Sequence, residues 1–170
     1  WNSIEAVPLW NQKGRVTMAY SNNQGRPYTQ GRPTNQNHAA SKKLTILFTD
    51  DTYVNEAEAV IQEMKQTNFR ESRDTLTMSQ LRNLSSLTSN IYDEVQNNDV
   101  SQVSDKLAYL RVQFVYQSGR NAAIKKLVEL ADILGILKTI QAKNDRSTII
   151  RFCRYMEALV AYFKYYGGQD

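Results

Sequence analysis

The chain has 170 residues, a hydrophobic fraction of 41% and a formal net charge of +4, which suits one globular domain of ordinary composition. No apolar run approaches the roughly 18 residues that a membrane span requires, and no signal-peptide pattern occurs, so we expect no membrane partner. The charge is uneven, because residues 1–48 sum to +5, residues 49–105 to −7 and residues 106–170 to +6.

Residues 1–48 predict a basic, largely irregular N-terminal extension. All three prolines and the single histidine, His38, lie there, and residues 21–43 are rich in Asn, Gln, Gly and Arg without an apolar period. Such a stretch buries too little apolar surface to offset chain entropy, so we expect it to be disordered or ordered only by a partner. It is either a solvating linker or a weak RNA-contacting arm with the cations Arg26, Arg32, Lys42 and Lys43.

From residue 49 onward proline is absent and the apolar period is helical, which predicts a helical domain over residues 49–170. The first helix is expected to begin at Asp50-Asp51, whose carboxylates favour the positive end of a helix. The second is expected at Thr77, because its spacing to Gln80 is typical of a capping box. The predicted buried residues are, for the first helix, Tyr53, Val54, Ala57, Val60, Ile61 and Met64, and, for the second, Leu81, Leu84, Thr88, Ile91 and Val95.

Three further helices are predicted. The third starts at Asp99 and is apolar on two sides, which is usual for a central helix, and Gly119 is expected to end it. The fourth runs from about residue 122 to about residue 142, with Gly135 marking close packing or a bend. The fifth is capped by Asp145. The predicted fold class is therefore all-α, a compact bundle of five helices preceded by the irregular extension.

The last helix, Arg151–Tyr166, has two chemically different faces at 3.6 residues per turn. The face expected in the core contains Ile149, Phe152, Cys153, Met156, Leu159, Val160 and Phe163. The opposite face contains Arg151, Arg154, Tyr155, Ala158, Ala161, Tyr162 and Tyr165. Arginines and tyrosines among small alanines suit a surface that contacts phosphates and packed neighbours, although an ordinary solvated face has the same pattern.

Catalytic and metal-binding patterns are absent from the sequence. His38 lies in the extension, and Cys153 falls on the apolar face of the last helix, so an inert buried thiol is expected. The spacings of zinc, calcium and phosphate-loop motifs do not occur. We therefore predict no catalytic residue, no metal, no cofactor and no enzymatic activity. A single cysteine also excludes an internal disulfide and indicates a reducing cytoplasm.

One position that suits a polyanion is the run GRNAAIKK at residues 119–126. A helix begins there, and its N–H groups are expected to point to solvent among Arg120, Lys125 and Lys126, as in anion sites at helix N-termini. Arg120 could instead satisfy the last carbonyls of the preceding helix.

Three other positions are candidates. Arg82 lies near Ser85, Ser86 and Ser89, whose hydroxyls can bind a sugar–phosphate chain or simply permit close helix packing. Arg151 and Arg154 form the second, and Arg111 is a weaker third, because burial in an ion pair would explain it equally well. If the acidic and basic segments form opposite poles, copies could stack end to end; otherwise the two charges neutralise each other within the fold.

Long segments of the chain resemble one family. YLRVQFVYQSGR (residues 109–120) and RFCRYMEALVAYFKYYGGQD (residues 151–170) are similar to the small subunit of type III-A CRISPR (Csm) effector complexes, above all in YMEALVAY-x-K-x-YGG. TDDTYVNEAEAVI and TMSQLRNLSSLTSNIYDEV fit the same family. The resemblance covers about residues 44–170 and does not extend to residues 1–43.

The resemblance implies a small helical subunit without nuclease activity, which supports antiviral defence. Several copies stack head to tail as the inner filament of a ribonucleoprotein and contact the backbone of the guide RNA–target RNA duplex without reading bases. Cutting and signalling belong to the other partners, the backbone subunits and the large signature subunit. The RNA-binding residues carried over by position are Arg82, Arg111, Arg120, Arg151, Arg154 and Lys164, with Lys125 and Lys126 in a less distinctive stretch.

Two alternatives to this function stay open. The first is a purely structural helical scaffold, in which the basic residues pair with other proteins. The second is a helical nucleic-acid-binding regulator, which requires a recognition helix with exposed Asn, Gln and Arg after a tight turn.

Overall fold

The computed structural model describes residues 44–97 and 99–170, and this part of the chain is largely all-α. Of the predicted extension at residues 1–48, residues 1–43 lie outside it, and residues 44–48 contain no helix or strand. Two short strands, β1 (Arg70–Glu71) and β2 (Asp74–Thr75), pair antiparallel, and a 3₁₀ turn spans Val100–Val103. The helices are α1 (Tyr53–Gln66), α2 (Met78–Asn97), α3 (Ser104–Arg120), α4 (Ala122–Leu130), α5 (Ile133–Lys143) and α6 (Arg146–Tyr165).

The core forms around α6, which packs against both α1 and α2 and also contacts α5. The predicted apolar face of this helix is confirmed, because Phe152, Met156 and Phe163 are fully buried. Burial also raises the pKa of the Cys153 thiol to about 12, so this cysteine is an inert core residue as expected.

The prediction for the opposite face of α6 is wrong at Tyr155. Arg154, Ala161 and Tyr165 are exposed as expected, whereas Tyr155 is fully buried and its hydroxyl donates to the Ala131 carbonyl at 3.3 Å. Phe48, which precedes α1, packs edge-on against its ring at 5.7 Å between centroids. Helical periodicity alone cannot show a cover that comes from a distant segment.

The number of helices differs from the prediction because the expected fourth helix is broken. Asp132 adopts a left-handed conformation with φ of 46°, and this residue separates α4 from α5. Gly135 follows one turn later, and a Cβ at this glycine would lie 2.5 Å from the Asp132 carboxylate. The close packing predicted at Gly135 is therefore confirmed, and the break itself lies three residues earlier.

Two of the predicted helix caps are confirmed. The Thr77 N–H donates to the Gln80 side chain at 3.0 Å, and the Gln80 N–H donates to the Thr77 hydroxyl at 3.3 Å, which is a reciprocal capping box. Asp145 accepts a hydrogen bond from the Thr148 N–H at 3.1 Å at the start of α6. Hydrogen bonds from Ser147 and Thr148 lower the pKa of Asp145 to about 2.

Two other helix ends were predicted wrongly. The helix α1 begins after Thr52, and Asp50 instead pairs with Arg151. The helix α3 continues through Gly119 to Arg120, and Asn121 ends it in an extended conformation with φ of −141°. The predicted start of the third helix at Asp99 is confirmed as the cap of the 3₁₀ turn that leads into α3.

The helix α3 is peripheral, although its two apolar sides predicted a central position. Its inner side is buried at Leu107, Leu110 and Phe114, where the helix packs near α4, α5 and α2. Its outer side, which includes Val112 and Val115, is exposed. Within residues 44–97 and 99–170, no helix is long and apolar enough to span a membrane.

The two glycines at helix ends should respond oppositely to alanine. Gly119→Ala should raise the free energy of unfolding by about 0.5–1 kcal/mol, because it removes the entropic cost of an exposed helical glycine. Gly168→Ala should lower it by about 1–3 kcal/mol, because a Cβ there would lie 2.2 Å from the ring of buried Phe163. Urea unfolding at low protein concentration measures both, and effects of the same sign would contradict these assignments.

Candidate nucleic-acid interface

The fold divides the eight predicted RNA-binding residues among three places. Three lie along the exposed junction of α2 and α6, four lie on α3 and α4, and one lies on the side of α6 that faces the start of α1. These groups are, in that order, Arg82, Arg154 and Lys164; Arg111, Arg120, Lys125 and Lys126; and Arg151.

The helices α2 and α6 pack antiparallel, because residues early in one are bonded to residues late in the other. The hydrogen bonds run from the Cys153 thiol to the Thr88 carbonyl at 3.3 Å, from Arg154 Nη2 to the Tyr92 hydroxyl at 3.5 Å, and from Arg146 Nη1 to the Gln96 carbonyl at 3.4 Å. The Met78 N–H extends this pattern by donating to the Gln169 carbonyl at 2.9 Å, just beyond the end of α6.

This register aligns two matched rows of residues, which we call the α2/α6 surface. Each row repeats at a spacing of three, four and three residues, so its members share one side of their helix. The observed contact between Tyr92 and Arg154 fixes the rows relative to each other. Tyr92 and Arg154 are in contact. Continued along the two antiparallel helices at equal rise per residue, that register is expected to place Ser89 opposite Glu157, Ser85 opposite Ala161 and Arg82 opposite Lys164.

The α2/α6 surface has the chemistry of a phosphate-contacting strip. Its cations stand at both ends, about 15 Å apart at 1.5 Å per residue, which is long enough for several phosphates of one strand. Serine and alanine between them leave room for a backbone to approach. Arg154 is exposed, and its guanidinium lies over the Tyr92 ring at 5.8 Å from the centroid. Glu157 is the acidic member and opposes an anion.

Arg151 is already engaged within the chain. Its Nε and Nη2 atoms donate to both carboxylate oxygens of Asp50 at 2.6 Å, and its Nη1 donates to the Phe48 carbonyl at 3.3 Å. The Arg151 side chain is only 16% exposed, and its hydrogen bonds to Asp50 lower the pKa of that carboxyl. Arg151 therefore fastens residues 44–50, which we call the lead-in segment, to α6.

The start of α4 is not the open anion site that the sequence predicted. The Ala122 N–H donates to the Asp74 carboxylate at 2.7 Å, and the Asn121 side chain accepts from the Ile124 N–H at 2.9 Å. A carboxylate from the chain itself thus occupies the positive end of the helix. The expectation of N–H groups pointing to solvent is wrong at Ala122 and Ile124.

The four basic residues on α3 and α4 have different surroundings. Lys126 pairs with Glu71 at 2.9 Å and is mostly buried, and Lys125 pairs loosely with Glu129 at 3.9 Å. Arg111 is exposed, so the suggestion of a buried ion pair is wrong, and it forms no ion pair among the residues that the structure describes. Among the residues that the structure describes, the exposed Arg120 caps no carbonyl; its guanidinium stacks over the Tyr116 ring at 5.5 Å.

Acidic and basic segments of the sequence pair with each other within one chain, through side chains that are partly exposed. Three of the four ion pairs found in the described residues join the −7 segment to the +6 segment. These pairs are Asp50 with Arg151, Glu71 with Lys126 and Glu94 with Lys106. The arrangement favours internal neutralisation over separate charged poles.

Within 44–97 and 99–170, no group of three His, Cys, Asp or Glu side chains is arranged to hold a metal ion.

Tyr92 was not among the sequence-predicted site residues. The signal that could have found it is its regular spacing from Arg82, Ser85 and Ser89 along α2.

Comparisons with known proteins agree on one family. A family model described as Csm2 Type III-A matches residues 54–169. The chain is 49% identical over 124 residues to the CRISPR system Cms protein Csm2 of Streptococcus thermophilus, covering 73% of this chain and 98% of that protein. The proteins of the same name from Mycobacterium tuberculosis and Enterococcus italicus are 44% and 35% identical, covering 71% and 69% of this chain and 95% and 91% of their own length.

Replacing Arg151 should destabilise the folded chain more than replacing Arg154 does. Arg151→Ala removes both bonds to Asp50 and the bond to Phe48, so it should lower the free energy of unfolding, whereas exposed Arg154→Ala should change it by less than about 0.5 kcal/mol. Urea unfolding of the two variants gives the comparison.

The stability that the Asp50–Arg151 ion pair contributes should depend on pH, and the sign of that dependence is defined. The pKa of Asp50 is lowered in the folded chain, so its contribution is present above the unfolded pKa of about 3.9 and declines as the pH falls below it. The difference in the free energy of unfolding between wild type and Asp50→Asn should therefore become smaller as the pH falls below about 3.9. A difference that widens below that pH would contradict the assignment.

Proposed function

The chain belongs to the Csm2 family of type III-A CRISPR systems, and we propose that it binds the backbone of the guide RNA–target RNA duplex through the α2/α6 surface. As a member of this family it is a structural small subunit of the Csm complex and not an enzyme. The observation that carries the proposal is the pair of antiparallel rows, with exposed cations at both ends of a strip of small residues.

The proposed binding needs no recognition of bases by this chain. Pairing between guide and target supplies sequence specificity, so a subunit beside the duplex needs only shape and charge. Arg82, Arg154 and Lys164 are exposed and form no ion pair within the described part of the chain. Arg151 and Lys126 contribute less, because internal carboxylates already hold them.

The proposed partners are the guide and target RNA, the backbone subunits, the large signature subunit and further copies stacked head to tail. The proposed compartment is the cytoplasm. Stacking is an expectation from the family resemblance and no longer from charged poles, since three ion pairs join the acidic and basic segments within one chain. The role of the assembled complex is antiviral defence.

A purely structural scaffold is the second candidate function. It is favoured by the internal ion pairs of Arg151 and Lys126 and by the exposed apolar side of α3, which suits protein contacts. A sequence-reading regulator has less support, because α4, the helix after the tight turn, is largely buried.

Removing the three cations of the α2/α6 surface should weaken RNA binding without preventing assembly. In complexes reconstituted with Arg82→Ala, Arg154→Ala and Lys164→Ala together, retention of target RNA should fall. The negative slope of log affinity against log salt should become shallower by about two for each copy of the subunit. Titration of labelled target RNA at several salt concentrations measures this slope.

The matched control removes three exposed cations elsewhere, with the variants Arg73→Ala, Lys138→Ala and Lys143→Ala. It makes the same change in net charge and should leave the slope near that of wild type. If the first variant assembles and holds RNA with unchanged salt dependence, the scaffold is the better description. Tight, sequence-specific binding of duplex DNA would instead favour a regulator.

Glu157→Gln should act in the opposite direction. Removing the single carboxylate of the α2/α6 surface should tighten RNA binding by about twofold to fivefold, the effect of an exposed charge interaction worth roughly 0.5–1 kcal/mol. The same titration measures the change. Unaltered or weaker binding would place the RNA away from this surface.

A further inference from the structure

Tyr165, the last residue of α6, has an unusually open side chain. It is 78% exposed, the most of any large hydrophobic residue in 44–97 and 99–170. Its hydroxyl has no hydrogen-bond partner among those residues. Exposed aromatic residues are common, and what distinguishes this one is the support that its neighbours give the ring.

The ring of Tyr165 packs against a second tyrosine that is itself fixed in place. The rings of Tyr165 and Tyr166 meet at 5.0 Å between centroids and at an angle of 81°. The Tyr166 hydroxyl donates to Glu58 and accepts from the Gln62 side chain at 2.7 Å, so α1 holds this ring. Lys65 Nζ also lies 5.0 Å from its centroid. A perpendicular contact covers at most one face of Tyr165, so its other face is open and has a defined orientation.

The chain turns back toward the core directly after these rings. Gly167 has a φ of 88°, and the Gly168 N–H donates to the Phe163 carbonyl at 2.8 Å. Gly168 is buried against the Phe163 ring. Residues 167 and 168 therefore turn away from Tyr165 and leave its ring accessible.

Tyr165 adjoins one end of the α2/α6 surface. It follows Lys164, the cation of α6 at that end, and lies one turn beyond Ala161 on the same side of the helix. Lys65 is a second exposed cation nearby, and neither lysine forms an ion pair within the described part of the chain. A strand that follows the phosphate-contacting strip thus reaches an open aromatic ring where the strip ends.

We propose that Tyr165 is a stacking site for one unpaired base of the RNA held by the α2/α6 surface, an inference that rests on the proposed RNA binding. Inside a duplex, neighbouring bases cover both faces of each base, so only a base at a strand end or outside the stack presents a free face. Every base has such a face, so the site distinguishes unpaired from paired nucleotides without reading sequence. Lys164 is the adjacent cation for the phosphate of that nucleotide.

The surroundings favour a nucleotide over a protein contact. The aromatic anchors of protein interfaces lie in well-packed pockets and are enclosed by further contacts. The exposed neighbours of Tyr165 on α6 are instead a small residue and a cation, Ala161 and Lys164. A single flat ring beside a cation is the arrangement that single-stranded nucleic acids use.

Photocross-linking in the reconstituted complex tests this site. Target RNAs with one 5-iodouracil at successive positions are bound to a fully complementary guide or to a guide mismatched at that one position. Irradiation joins this base to an aromatic side chain stacked on it. We expect a cross-linked peptide containing Tyr165 for at least one unpaired position and a much lower yield for the paired base. No cross-link to Tyr165 at any position, or equal yields for paired and unpaired bases, would overturn the proposal.

Two substitutions separate the aromatic ring from its hydroxyl. Tyr165→Phe keeps the aromatic face and should keep the cross-link, whereas Tyr165→Leu should remove it. Tyr109→Leu, the same change at an exposed tyrosine on α3, is the matched control and should leave the yield unchanged. If Tyr165→Leu prevents assembly with the other subunits, the ring belongs to a protein contact and the proposal is wrong.

The affinity that stacking contributes has its own measurement. At the cross-linking position, RNA with an unpaired base should bind about fivefold to 100-fold more tightly than RNA with an abasic nucleotide, and Tyr165→Leu should reduce this ratio to about one. The ratio cancels the phosphate contacts that both RNAs share. A wild-type ratio of one, with a shallower salt slope in the three-cation variant, would remove the stacking site alone. An unchanged slope in that variant would remove the proposed RNA binding and the stacking site with it.

Discussion

Burial of one face of α6 between α1 and α2 is the constraint on which the rest of this structure depends. That face places the bulky side chains Phe152, Met156 and Phe163 in the core, where each contributes roughly 1.5–3 kcal/mol of apolar burial. Once the face is buried, the rotation of α6 about its axis is fixed. Its remaining sides must then meet α2, the lead-in segment or solvent, and the candidate interface is the solvent side nearest α2.

The features that could be predicted from the sequence are local ones. The apolar face of α6 follows from a period of 3.6 residues, and the caps at Thr77 and Asp145 need partners only three residues away. The all-α fold class follows from the same period. These features can be predicted because residues that are close in the sequence remain close together in a helix.

The errors have the opposite origin, since each involves residues far apart in the chain. Arg151 was predicted to face solvent, but its partner Asp50 is 101 residues away. The start of α4 was expected to be open, but the capping carboxylate of Asp74 comes from a hairpin 48 residues earlier. Individual basic residues could therefore be named from the sequence, whereas their division into engaged and available groups required the tertiary structure.

The antiparallel register of α2 and α6 makes the candidate interface depend on helical phase. One residue inserted between Ser85 and Ser89 would rotate Arg82 by about 100° relative to Tyr92 and move it out of its row. An insertion of seven residues, close to two full turns, would keep both on the same side. Relatives that lengthen these helices by whole heptads could thus extend the phosphate-contacting strip, whereas single insertions would split it.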